Sequence, residues 1–519
     1  MGSLILPPAR SMPDFADIER AIKTLEAILN DRGLLAQVPE KTRVALLSAA
    51  GRVSRPTRLE SRKLSRGLRA KSKQALDIKD REARASTLIR QTRKATVFTP
   101  PTRVSEDFRT QEERELKKPR FCYICKAEFR TLHFFYDSLC PPCAEFNYAK
   151  RYQTASLDGR VAVITGARIK IGYQAALMLL RAGAEVIVTT RFPRDAAERY
   201  SREPDFTSWK NRLQIHGLDL RHSPSVEIFA HYLCATLPRL DILINNAAQT
   251  VRRPPAFYSH LLEKEFESAN ANSIEVQALL KNHRACLKAL SMSAALPLRS
   301  ESDATGLAQW HAGGPGIGLR ESARLSQLKY SYSDADIAQD VFPAGQIDAD
   351  LQQVDLRAKN SWRMTLSEVP SVEMIELQLI NSVAPFILCA QLKPLMTRDR
   401  TNEKHIVNVS AMEGSFSRGT KTDKHPHTNM AKAALNMMTL TSAQDYARSG
   451  IFMNAVDTGW VTDEDPALYA ARKKEDLDFQ PPLDIIDGAA RVCDPIFSVL
   501  LSGKQVWGNF FKDYKPTAW

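Results

Sequence analysis

Four of the chain's eight cysteines fall within 22 residues, as Cys122-Tyr-Ile-Cys125 and Cys140-Pro-Pro-Cys143. A Cys-x2-Cys pair wraps two thiolates around one ion, and a second pair completes a tetrahedron. Cys122, Cys125, Cys140 and Cys143 are therefore expected to hold a structural Zn2+, with no open position for catalysis. Disulfides are disfavoured in a reducing compartment, and a redox Cys-x-x-Cys would account for only one of the two pairs. His133, between the pairs, reads as a packing or loop residue. A second chemistry lies in Thr165-Gly166-Ala167-Arg168-Ile169-Lys170-Ile171-Gly172. Gly166 follows a short apolar run and Gly172 opens a helical pattern, so backbone and helix N-terminus can approach the pyrophosphate of a dinucleotide. The Lys170 side chain either crowds that pyrophosphate or pairs with it. Downstream, Arg191 ends the next apolar run, with Arg194 and Arg168 close by. An acidic residue there would hold the ribose hydroxyl of NAD(H); guanidinium groups suit the 2′-phosphate of NADP(H) instead.

Further motifs follow in order. Asn245-Asn246-Ala247-Ala248 ends an apolar run, Asn381 lies in Ile-Asn-Ser-Val-Ala-Pro, and Val-Asn-Val-Ser410-Ala411 precedes Thr428-Asn429-Met430-Ala431-Lys432. The ordered set resembles the short-chain dehydrogenase/reductase superfamily over about residues 157 to 519. That resemblance implies a nicotinamide cofactor and a site of Ser, Tyr, Lys and Asn, in which the tyrosine gives a proton to the carbonyl oxygen that receives hydride. Lys432 matches the lysine that lowers the tyrosine pKa and holds the nicotinamide ribose, and Asn381 matches the asparagine that supports a water chain. Asp219 matches the adenine-contacting aspartate, and Asn245, Asn246 and Ala247 the structural and cofactor-proximal run. Ala411 occupies the usual serine position, with Ser410 one residue before it.

Three positions depart from the family pattern. Lys170 stands where a third glycine is expected, and Asp457-Thr458-Gly459 replaces the Pro-Gly beside the nicotinamide, with Trp460 and Thr462 next to it. Thr428 stands where the tyrosine should be. An aliphatic alcohol is a far weaker acid than a phenol of pKa about 10. His425 and His427 lie close by, and imidazole titrates near neutrality. His427 is the expected donor, with Glu413 and Lys424 as lesser candidates; the alternative is that the histidines fill a loop and no proton is transferred.

These residues need a scaffold, and the apolar pattern supplies one. Strands are expected at Val161 to Ile164, Ala184 to Thr190, Leu213 to Leu218, Leu240 to Ile244, His405 to Val409, Phe452 to Val456 and Trp507 to Phe511. Helices alternate with them at Ile171 to Ala182, Ser225 to Leu237, Glu373 to Lys393 and Asn429 to Ala447. The fold class is α/β, a Rossmann-type doubly wound parallel sheet, preceded by a helical basic arm and the small four-cysteine zinc module. Residues 1–118 form the arm, partly flexible; 119–150 the module; and 157–519 the Rossmann domain, with a large insertion at about 255–365. Within it, Gly313-Gly314-Pro315-Gly316-Ile317-Gly318 follows no strand and reads as flexible linker rather than phosphate loop. The insertion is expected to lie outside the sheet and to be partly disordered.

The net charge of +13 is concentrated: residues 51–100 hold fifteen Lys/Arg against four Asp/Glu. Arg52 to Lys73 could meet phosphates, but no aromatic residues are interleaved for base stacking, so a solvated arm is preferred to a nucleic-acid site. No stretch approaches the roughly 20 apolar residues of a membrane span, and Met1 to Arg20 lacks signal-peptide architecture. The expectation is a soluble, cytoplasmic NADP-dependent oxidoreductase acting on a small-molecule carbonyl or alcohol, with a homo-oligomer left open. The rival is a catalytically inactive dinucleotide-binding protein that recruits a partner through its zinc module and basic arm.

Overall fold

The computed structural model describes residues 14–101, 103, 114–266, 273–293, 314, 316–328, 341–343, 345–349 and 352–519. The chain divides into two compact units, 1–78 and 79–519. The first contains the helices Phe15–Asn30 and Glu40–Ser54, neither of which buries a residue. The apolar stripe Phe15, Ile18, Ile22, Leu25 and Leu29 is thus helical as expected but exposed. The 28-residue basic helix Arg58–Ala85 runs across the division.

The second unit begins at Lys79 rather than at residue 119, because the end of the expected arm is folded into the cysteine module. Ile89 is fully buried in a cluster with Leu116, Phe135, Tyr136 and Leu139. Arg90 pairs with the buried Asp137, and Asp80 accepts hydrogen bonds from the Lys117 and Lys118 amides. The module itself is an antiparallel hairpin, β1 (Arg114–Phe121) and β2 (Glu128–Leu132), followed by the helix Pro141–Lys150.

The main sheet has eight strands: β3 (Val161–Thr165), β4 (Glu185–Thr190), β5 (Leu213–Gly217), β6 (Ile242–Asn245), β7 (Lys404–Ser410), β8 (Ile451–Asp457), β9 (Phe510–Lys512) and β10 (Lys515–Thr517). Their order is β10-β9-β8-β7-β6-β3-β4-β5, parallel except for the last antiparallel strand β10. The chain winds outward from β3 to β5 and returns to β6 on the other side. The switch point at the carboxyl ends of β3 and β6 is where such folds bind ligands. Helices cover both faces, so β3, β7 and β8 are buried throughout; β3 and β8 are mostly apolar, while β7 also buries Lys404, His405, Asn408 and Ser410. Lys170–Arg181 and Ile485–Ser502 lie on one face; Ser223–Thr236, Ala384–Met396 and Pro426–Arg448 pack on the other. The run Ser371–Met396 is, contrary to expectation, long and apolar enough by composition to cross a bilayer. Its Leu388, Leu392, Leu395 and Met396 are fully buried in the sheet's core, which accounts for that composition.

The described part of the insertion is neither loose nor a linker. Helices Ile274–Leu279 and Lys281–Ser293 lie against the edge strand β5, burying Val276, Leu279 and Cys286. Gly318 donates its amide to Ser225 and accepts the Asp219 amide, so the end of the glycine run is a packed turn opening the short helix Ile317–Arg320. Residues 1–13 and 104–113 of the arm, Gly313 and Pro315, and 267–272, 294–312 and 329–340 of the insertion lie outside the described residues.

The cysteine module is joined to the Rossmann domain by a buried ion cluster. Arg151 donates both terminal nitrogens to Asp484, at 2.7 and 2.9 Å, and one to Asp487 at 2.9 Å. The same two carboxylates form the capping box of helix Ile485–Ser502. Replacing Arg151 with Met would leave two buried carboxylates without their cation; we expect a loss of about 3–5 kcal/mol, read from the urea unfolding midpoint.

Candidate active site

A cavity of about 1250 Å³ opens at the switch point. Its wall includes Gly166, Arg168, Ile169, Lys170, Ile171 and Gly172 from the turn after β3, Arg191 after β4, and Lys432 and Gly459. Gly166 has φ +66°, and a Cβ there would come within 2.7 Å of the Ala247 backbone. A Cβ on Gly172 would strike the Asn246 amide nitrogen. Thr165 Oγ1 accepts the Asn246 and Ala247 amides, and Asn246 Nδ2 donates back to the carbonyls of Thr165 and Gly166. The Asn-Asn-Ala run therefore clamps the turn. Asn245 is the exception: it faces away from the cavity to bond Asn408 and Cys389.

Lys170 keeps the backbone shape of the glycine it replaces, with φ +56°. A left-handed conformation costs an L-residue roughly 1–2 kcal/mol, and the side chain gains the nearby buried Glu464, whose carboxyl its charge helps hold down against burial.

The three arginines differ in what they can offer. Arg168 is buried and neutralised by Asp195 at 2.6 Å, with its other nitrogen on Gln352. Arg194 turns outward to the Lys264 carbonyl. Arg191 alone keeps its charge for the cavity: among the described residues it pairs with no carboxylate, and it is braced on Tyr258 by a 2.7 Å hydrogen bond and a ring contact at 4.5 Å. Asp219 departs from the implied adenine contact. Its buried carboxylate is gripped by Arg221 and its amide is taken by Gly318, so both groups are satisfied within the protein.

On the helix Pro426–Arg448, Lys432 donates to the Val409 carbonyl at 2.8 Å. Burial pulls its pKa down to about 8, against the opposing charges of Glu413 and Asp457. Asn381 sits in a π-turn, Leu379–Val383, and exchanges two hydrogen bonds with the backbone of Gln249; such bulges recur at functional sites. Asp457 ties the walls together by accepting the amides of Met412 and Gly459, each at 2.7 Å.

Three of the candidate catalytic residues, His427 the expected donor among them, have their polar groups turned elsewhere. Ser410 spends its hydroxyl on Asn436. Thr428 lines the cavity, but its hydroxyl reaches only the Thr250 carbonyl at 3.5 Å. His427 is buried away from the cavity, with Nε2 3.8 Å from Glu373. The cause is helical phase: Pro426 starts the helix, and the spacing that puts residue 428 beside 432 turns 427 aside.

Residues given no role in the sequence complete the wall: Trp362, Lys421 and, from the cysteine module, Tyr123. Tyr123 accepts the Trp460 amide at 2.9 Å, and burial holds its phenol well above the usual tyrosine range. Its place between Cys122 and Cys125 was the one available signal. The four thiols lie with all Sγ atoms within 4.8 Å of one another, and Cys125 and Cys140 are 3.6 Å apart. A metal–sulfur bond of about 2.3 Å gives tetrahedral edges of about 3.8 Å, so the cluster can hold one ion.

Residues 160–295 match the family described as short chain dehydrogenase, and 344–478 that described as enoyl-(acyl carrier protein) reductase. Uncharacterized protein R665 of Acanthamoeba polyphaga mimivirus is 30% identical over 404 residues, covering 76% of this chain and 74% of that protein. Dehydrogenase/reductase SDR family member 13 of Bos taurus is 40% identical over 107 residues, 21% of this chain and 26% of that protein. Human retinol dehydrogenase 11 is 30% identical over 144 residues, 24% of this chain and 45% of that protein. The chain thus spans less than half the length of these two named dehydrogenases. Among solved structures, the Pseudomonas aeruginosa RhlG/NADP active-site complex is 17% identical, with TM-score 0.40 over 69% of this chain and 95% of that one. NADPH-bound carbonyl reductase from chicken fatty liver is 18% identical, with TM-score 0.39 over 70% and 100%. The chain belongs to the short-chain dehydrogenase/reductase superfamily.

A lysine whose pKa falls on folding binds fewer protons in the native state, so this group's contribution to stability rises with pH between about 8 and its unfolded value. We expect one lysine to lose its proton near pH 8 in heteronuclear NMR, and that titration to vanish in Lys432→Met.

Proposed function

We propose that the chain is an NADP(H)-linked oxidoreductase that reduces a small-molecule carbonyl or oxidises the corresponding alcohol. The observation that carries this reading is one cavity lined by both Arg191, which forms no direct ion pair among the described residues, and the buried Lys432. The bound nicotinamide would supply or accept hydride. The turn from Gly166 to Gly172 and the N-terminus of helix Lys170–Arg181 would hold the pyrophosphate, Arg191 the 2′-phosphate and Lys432 the nicotinamide ribose. Asp457 holds the loops at Met412 and Gly459 in place around the reacting end.

Arg191→Ala should weaken NADPH binding by about 10–100-fold, the value of one charge-assisted contact, and leave NADH nearly unchanged. Intrinsic fluorescence titration measures both. Equal losses for the two coenzymes would remove the case for NADP(H).

We also infer that the four thiols hold structural zinc in a reducing, cytoplasmic setting. The Ala127 amide pulls the Cys125 thiol down to about 7, while burial raises the Cys140 and Cys143 thiols, so a bound cation would displace protons from the cluster. Elemental analysis should find one zinc per chain, lost in Cys143→Ala. Because Tyr123 belongs to the same knuckle, chelation should also weaken NADPH binding.

The second reading, a dinucleotide-binding protein without turnover, is favoured by Thr428 in the tyrosine position. Mixing the protein with NADPH and a panel of ketones, aldehydes and quinones separates the two, since binding without NADPH oxidation supports only the second.

A further inference from the structure

We propose that His425 is the proton donor to the substrate oxygen, doing the work that the superfamily assigns to tyrosine. The inference rests on the hydride-transfer reading above. Its first support is position. His425 is the N-cap residue of the helix Pro426–Arg448, three residues before Thr428 and seven before Lys432. All three line the cavity, whereas His427 does not.

The second support is the strained way in which the ring is held. His425 has φ +43°, a left-handed conformation, in a residue that begins a helix. Strain of this kind persists only where surrounding contacts impose it. Those contacts are visible: the His425 amide donates to the Met364 carbonyl at 2.9 Å. The imidazole also stacks flat on Trp362, with centroids 3.9 Å apart and planes 4° from parallel. Trp362 lines the same cavity, so the pair forms part of its wall. His425 Nδ1 is buried without a hydrogen-bond partner among the described residues.

The step balances without another reagent. As hydride reaches the carbonyl carbon, the π pair moves to oxygen, which takes the proton from the His425 imidazolium. The products are the alcohol, the oxidised nicotinamide and neutral imidazole, which regains a proton from solvent. In alcohol oxidation the neutral ring removes the hydroxyl proton. Glu413, from the turn after β7, and Asn429 favour the charged ring; His427, from the same helix, opposes it; Lys424 is the preceding residue. Burial outweighs Glu413 and sets the imidazole below its ordinary value. Carbonyl reduction should therefore fall as pH rises through a midpoint below 6.5, and alcohol oxidation should rise through the same midpoint.

The test compares wild type, His425→Gln and His427→Gln in the zinc-loaded full chain. It measures NADPH affinity, kcat against pH with the carbonyl panel, and histidine NMR with NADP+ plus the product alcohol. The expected result is a loss of about 100-fold or more in kcat for His425→Gln, with NADPH affinity within about twofold. His427→Gln should turn over like wild type, and alcohol should shift the ring resonance absent from His425→Gln. Wild-type kcat in His425→Gln, or a His425 resonance unmoved by alcohol, overturns the inference and leaves the oxidoreductase reading standing. Wild-type protein that binds NADPH but oxidises it with no carbonyl overturns both.

Discussion

The buried guanidinium of Arg151 is the constraint on which the second unit's geometry depends. It lies 4.4 Å from the Phe135 ring centroid and faces Asp484 and Asp487, which in turn begin the long C-terminal helix. Tyr136 adds a hydrogen bond to Asp487, and Arg491 one to Asn147. Burial raises the Asp487 pKa, while Arg151 holds Asp484 below its usual value in spite of burial. Taking these charges out of water is expensive, and net stability is not the natural role of such a cluster. Its effect is specificity: any other docking of the cysteine module would strand at least one charge in the interior.

That docking has a chemical consequence, because Tyr123 and Lys126 of the module line the same cavity as the turn after β3. The site is therefore built from three sources that are distant in sequence. The Rossmann core supplies the cradle, the cysteine knuckle supplies one wall, and the insertion supplies Tyr258 and Ser322, which fix the side chain and carbonyl of Arg191. Each source replaces freedom at the cavity with a fixed surface, which favours selection of one substrate shape.

The seven parallel strands of the sheet were legible because strands buried on both faces must be apolar throughout. The cofactor turn was legible because Gly166 and Gly172 are required by close backbone approach. Helix Ile485–Ser502 and strand β10 were missed; β10 has only three residues and little apolar content. The ion-pair partners of Asp219 and Arg168, which are Arg221 and Asp195, were not legible because they are set by packing that no local pattern announces. The turning of His427 away from the cavity could have been read from the sequence: once Pro426 is taken as the helix start, 427 and 432 fall on different faces of the helix.

The inserted helices along β5 also bear on how the molecule behaves among its copies. A sheet ends in two rows of unsatisfied amides and carbonyls, each a template for a foreign strand. Here one row is covered, and the other belongs to β10, three residues long and carrying Lys515 and Pro516. Neither border offers a long run of open backbone on which fibrillar growth could start, an arrangement that disfavours edge-to-edge polymerisation of the eight-stranded sheet.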